Sequence, residues 1–119
     1  MQLGILLTLH FIADFMLQKD YIAINKSKSI IILLIHTIHY SVFVTLSFLL
    51  ISFIFKFGWT LNDIFLIFAW LLLTHTVIDA ITSRAAADMY PVSRHWFFVI
   101  IGFDQLLHNF TLLAITQLY

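Results

Sequence analysis

Four apolar stretches, each close to the length that crosses a lipid bilayer, occupy almost all of this 119-residue chain. They run over about residues 2–18, 29–55, 62–82 and 93–118. A bilayer's hydrocarbon core is about 30 Å thick and a helix rises about 1.5 Å per residue, so roughly 20 residues make a span. The first stretch, about 25 Å as a helix, is short for that task. With 62% hydrophobic and only 10% charged residues, a soluble domain of this size could not bury its apolar surface in one core. The expectation is therefore an all-α, polytopic membrane protein, a four-transmembrane-helix bundle forming a single domain over residues 1–119.

The separators, residues 19–28, 56–61 and 83–92, are polar, with Gly58 and Pro91 as turn residues and Asn62 and Ser93 as expected helix N-caps. Residues 84–89 could form a short interfacial helix. The first stretch has neither a basic start nor a small-x-small cleavage site, so it reads as a span rather than a removable signal peptide. Lys19, Lys26 and Lys28 lie in the first loop, Arg84 and Arg94 flank the third, and only Lys56 marks the second. By the positive-inside rule, loops one and three face the cytoplasm and both termini face the other side. Tyr21, Tyr90 and Trp96 then belong to the inner interface, and Trp59 and Tyr119 to the outer one. Lys26, Ser27 and Lys28 read as topology determinants touching lipid phosphate, not as a substrate site.

Several function classes drop out. Six acids balance six Lys and Arg, so no basic face exists to displace counterions from a nucleic acid. Without Cys there is no disulfide, thiolate nucleophile or thiolate metal site. No phosphate-binding Gly loop, serine elbow or His-Glu-x-x-His run occurs. The expected partners are the lipid bilayer and a second copy or another protein.

What remains conspicuous is a set of ionisable residues inside the apolar stretches, where their cost asks for a function. His-x-x-x-Asp occurs twice, as His10/Asp14 and His75/Asp79, 65 residues apart, and His39 and Asp104 share that offset. A duplicated helical hairpin would explain the register. Counted from the cytoplasmic ends, His10, His36 and His75 lie about 12 Å deep, His39 and Asp104 about 15 Å, Asp14 and Asp79 about 6 Å, and His108 about 21 Å. Residues four apart share a helix face, so these side chains can converge inside a bundle, as bundle metal sites do. The expected ligands are His10, His36, His39, His75, Asp104 and His108. Asp14 and Asp79, nearer the water, are expected as general base or as orienting groups for His. Nitrogen and oxygen donors without sulfur suit a divalent metal, Zn²⁺ first and Mn²⁺ or Fe²⁺ next. His95, beside Arg94 and Trp96, reads as a solvated flank.

The strings LHFIADFMLQKDYIA, LLIHTIHY, THTVIDA and FDQLLHNF resemble the short bacterial membrane proteins grouped as domain of unknown function three-three-zero-seven. That resemblance rests on His10, Asp14, Phe15, Leu17 and Gln18, then His36, then His75 and Asp79, then Asp104, Gln105 and His108. It implies the bacterial inner membrane and supports the choice of site residues, but implies no reaction. A looser similarity is to membrane-bound metal-dependent hydrolases. Three functions fit the residues: a metal-dependent hydrolase at the inner face, an oligomeric conduit for protons or metal ions, and a non-enzymatic subunit whose His/Asp network joins helices and docks a partner.

Overall fold

The computed structural model describes residues 1–118, and its regular elements there are all helical. Helix α1 (Gln2–Phe11) runs into a π-helical turn (Ile12–Met16); α2 (Asp20–Asn25), α3 (Ile30–Phe55), α4 (Leu61–Met89) and α5 (Arg94–Leu118) follow. Among the described residues, α3, α4 and α5 are long and apolar enough to cross a membrane. The first segment, Gln2–Met16, is shorter, about 22 Å. Tyr119 lies outside the described residues.

Local chemistry explains most of the boundaries. The Ser29 hydroxyl accepts from the Ile32 amide at the start of α3, and Ser93 accepts from the Trp96 amide at the start of α5. At α4 the cap is Thr60 rather than the expected Asn62. The Asp63 amide donates to Thr60 Oγ1 and the Thr60 amide donates to Asp63 Oδ2, a reciprocal capping box. Lys56 ends α3 at φ 55°, and Gly58 takes φ 77°, a left-handed geometry natural to glycine. The loop expected at residues 83–92 is a correction: α4 continues to Met89. Arg84, Ala85, Ala86 and Ala87 are strong helix formers, and the first breaker is Pro91. The first loop likewise contains α2, which buries no residue of its own.

The long elements form a ring. α3 packs between α1 and α4, α5 packs between α4 and α1, and α2 leans on α3. One half of the ring is filled by an apolar layer that includes Leu6, Val44, Phe48, Ile67, Leu112 and Ile115. The other half holds most of the buried ionisable groups. Outward faces carry exposed Phe53, Phe65, Leu73, Ile81, Phe98 and Phe110. Only 28% of α4's most apolar window and 17% of α5's is buried, so their apolar surface points outward, as lipid contact requires.

Because the chain has no cysteine, single replacements report on topology without background. α3 separates Lys28 from Lys56, so Lys28→Cys and Lys56→Cys should react with a membrane-impermeant maleimide from opposite sides of sealed vesicles. Labelling of both from one side would contradict a membrane-crossing α3.

Candidate metal centre

Helix direction brings the ionisable side chains together. Cα–Cβ bonds tilt toward a helix's N-terminus, so side chains on α1 and α4 lean one way along the bundle and those on the antiparallel α3 and α5 lean the other. Extension of α4 to Met89 sets Asp79 about 15 Å above that helix end, rather than the 6 Å expected from a shorter helix. Asp79 and His108 therefore lean toward each other. Asp14 sits in the π turn, where the Leu17 amide donates to Ile12 O at 2.9 Å, a wider turn of the kind that often re-aims a functional side chain.

At the centre, Asp14 Oδ1, His36 Nε2, His75 Nε2 and Asp79 Oδ2 face one point. His36 Nε2 lies 3.1 Å from Asp14 Oδ1, 3.3 Å from Asp79 Oδ2 and 3.1 Å from His75 Nε2. His75 Nε2 lies 3.5 Å from Asp14 Oδ1 and 3.6 Å from Asp79 Oδ2. Ligands at the usual zinc bond lengths of about 2.0–2.1 Å, set tetrahedrally, would be about 3.3–3.4 Å apart, in the middle of these separations. Hydrogen bonds account for Asp79 Oδ2, which accepts from Lys26 Nζ, but poorly for the other three atoms. The two imidazole nitrogens can share only one proton between them, and Asp14 Oδ1 is buried with no well-directed donor. All four residues are buried.

A second layer fixes the first. The Gln105 amide nitrogen donates to Asp104 Oδ2 at 2.9 Å, leaving its oxygen to accept from His10 Nε2 at 3.0 Å. His10 Nδ1 must then accept from the Tyr40 hydroxyl, 2.8 Å away. The Tyr40 ring stacks on His75 with centroids 3.8 Å apart. Stacking positions His75, whose Nδ1 is buried without a hydrogen-bond partner. His108 Nε2 stands 3.1 Å from Asp79 Oδ1 and 3.5 Å from Asp104 Oδ1. The Thr82 hydroxyl also donates to Asp104 Oδ1. Asp14, Asp104 and His108 form a second, overlapping group whose donor atoms could hold a cation.

The expected residues thus divide. His36 and His75, two of the expected ligands, lie among the converging atoms, and Asp104 and His108 adjoin them. Asp14 and Asp79, expected as bases outside the ligand set, lie within the converging atoms because their side chains lean back into the bundle. His10 is taken up by Tyr40 and Gln105. His39 is exposed and stands outside both groups, although Asp104, its counterpart at the 65-residue offset, is only 13% exposed. His95 is exposed beside the Trp96 ring.

Lys26 is the residue that sequence reasoning missed. Its Nζ lies 2.7 Å from Asp79 Oδ2, with its side chain 15% exposed. Nothing in a Lys-Ser-Lys loop signals this. Burial alone would lower its pKa, but Asp79 and then Asp14 outweigh burial and hold the ammonium above the ordinary lysine value. The lysine's contribution to the ion pair is therefore fully present below pH 10.5, its ordinary value, and is lost as pH rises through the raised one. Three carboxylates and one ammonium leave two negative charges when the histidines are neutral, which one divalent cation cancels. A 440 Å³ cavity reaches Asp79 and Asp104 from the side of Lys26 and Lys28. A 280 Å³ cavity reaches His36 from the side of Gln18 and His39.

Residues 3–119 match the family described as "Protein of unknown function (DUF3307)", and the chain belongs to that family. No curated protein and no solved structure matches it significantly.

Removing one member of a buried ion pair strands the other. Lys26→Met should cost chelator-treated protein about 3–5 kcal/mol of unfolding stability, and much less in an Asp79→Asn background. Equal costs in both backgrounds would show that the pair contributes nothing.

Proposed function

We propose that this membrane protein of the DUF3307 family holds one divalent cation, Zn²⁺ first and Mn²⁺ or Fe²⁺ next, on Asp14, His36, His75 and Asp79, and acts as a metal-dependent hydrolase at the cavity beside it. The observation that carries this reading is the set of five donor separations between 3.1 and 3.6 Å around one point. With neutral histidines, a single divalent ion would also bring the buried cluster of Asp14, Asp79, Asp104 and Lys26 to neutrality.

In this reading the Gln2–Met16 segment is the fourth span, and the matched positions of Asp14 and Asp79 reflect a duplicated hairpin. Lys19, Lys26, Lys28, Arg84 and Arg94 orient the protein in the bacterial inner membrane with the cluster toward the cytoplasm and both termini outside. A bound divalent cation would supply Lewis acidity, polarising an ester oxygen and acidifying water. The chain supplies the rest. The cavity admits water and substrate to Asp79 and Asp104. His108, set between those two carboxylates with its Nε2–H donating to Asp79 Oδ1, is the group placed to give a proton, and Asp104, held by Thr82 and Gln105, keeps its ring in position. The apolar layer built on Val44, Phe48, Leu112 and Ile115 fills the other half of the ring, which speaks against a conduit.

Elemental analysis of protein purified without a His tag should find one zinc per chain. His36→Ala and His75→Ala should lose it, and His39→Ala should keep it. Tyr40→Leu, which removes the ring stacked on His75, should weaken zinc binding about 10–100-fold. Well-folded wild-type protein that takes up no divalent metal would overturn the reading.

A further inference from the structure

The 440 Å³ cavity follows the helices. Asp79, Thr82, Ala86 and Tyr90 line it at spacings of three and four along α4, and Phe97, Ile101 and Asp104 do the same along α5, so each helix gives one face as a wall. The heights of the two walls agree. Measured from Met89 on α4 and from Arg94 on α5, Ala86 and Phe97 lie about 4.5 Å in, Thr82 and Ile101 about 10.5 Å, and Asp79 and Asp104 about 15 Å. The cavity is therefore a shaft along the bundle. Tyr90, Ala87 and Lys28, at the end where α4 stops and α3 and α5 start, are exposed, whereas Asp79 at the floor is 1% exposed. In the proposed orientation the open end faces the cytoplasm.

Polarity along this shaft runs opposite to that of a lipid. Asp79, Asp104 and the Lys26 ammonium lie at the floor, while Phe97 and Ile101 stand between them and the water. A phospholipid in that leaflet carries its phosphate at the water and its chains beneath. A water-soluble ligand is free of that order and can enter charged end first.

We infer that the shaft admits a water-soluble phosphodiester from the cytoplasm, with its anionic phosphoryl group at the Lys26 ammonium and an apolar substituent beside Phe97 and Ile101. Lys26 gives one proton to Asp79 Oδ2 and keeps two for a ligand oxygen. With neutral histidines, the three carboxylates, Lys26, Lys28 and one divalent cation sum to one positive charge. A phosphodiester cancels that charge, whereas a phosphomonoester, with nearly two negative charges at pH 7, exceeds it. The inference rests on the proposed metal centre, since Asp79 and Asp104 without a divalent cation would repel the anion, and it names the substrate class for that centre. Hydrolysis of such an ester bonds a hydroxyl from water to phosphorus and passes the water's remaining proton to the departing oxygen, giving a phosphomonoester and an alcohol.

The test is isothermal titration calorimetry of the full chain in detergent, with zinc measured on the same samples. The probe is methylphenylphosphinate, which has the single charge and two free oxygens of a phosphodiester but no ester bond to cleave. Zinc-loaded protein should bind it about tenfold more tightly than dimethylphosphinate, which lacks the ring, and more tightly than doubly charged phenylphosphonate. Chelation should abolish binding. Lys26→Met should weaken it by about tenfold or more, the loss of a hydrogen bond from a charged donor, with zinc retained. Ile101→Trp, which narrows the shaft above the floor, should abolish binding, again with zinc retained. Zinc-loaded protein that binds no phosphinate, or that binds the two phosphinates equally, would overturn the inference and leave the metal centre standing. Displacement of methylphenylphosphinate by equimolar dioleoyl phosphatidylglycerol would reveal a lipid site and also overturn it. Wild-type protein without zinc would fail the metal reading, and the inference with it, a result read from the elemental analysis apart from the calorimetry.

Discussion

The structure depends on compensating buried carboxylates where water is scarce. An isolated carboxylate in a low-dielectric interior costs several kcal/mol, so each must find a cation or a donor. Asp79 is surrounded on this principle, with Lys26 on one oxygen, His108 on the other, and His36 and His75 close by. Asp104 has Thr82 and Gln105 as donors. Asp14 is the exception, with a buried oxygen near two imidazoles and no directed hydrogen bond. The packing of the ring follows from these demands as much as from apolar contact, because lipid surrounds the helices with surface as apolar as their own.

The bundle separates its tasks along its length. The layer of Leu6, Val44, Phe48 and Leu112 closes one half by packing. In the other half, hydrogen-bonded side chains replace hydrocarbon, and two cavities approach the cluster from different sides. Small cross-links join these halves to their neighbours: Trp70 Nε1 donates to Thr111 O between α4 and α5, and Thr76 donates to Thr37 between α4 and α3. A rigid frame and an accessible polar end are what the proposed metal centre needs.

The helical architecture and the polar cluster were legible in the sequence because ionisable residues stand out in apolar stretches. His36, His75 and Asp104 needed only their position within a span to be noticed. Their roles were less legible, because depth was counted from helix ends placed at polar residues. Ser83 and Arg84 look like a loop in composition, yet the alanines that follow them prolong α4 and lift Asp79 toward His108. His39 illustrates a different limit. On α3 the buried stripe runs through His36, Tyr40 and Val44 at a spacing of four, and a residue three positions from His36 falls to its side. Lys26 was hidden because the sequence does not show where a loop folds back.

The turn at Ile12–Met16 makes the spacing between His10 and Asp14 rigid in an unusual way. A π turn contains one residue more than the α-helical repeat would use. Deleting one residue there would restore ordinary winding with the preceding helix little rotated, but would remove the wide turn that aims Asp14 at His36 and His75. Length variation among relatives should therefore gather around Phe57 and Gly58, between α3 and α4, and avoid this turn, although both places are only a few residues long.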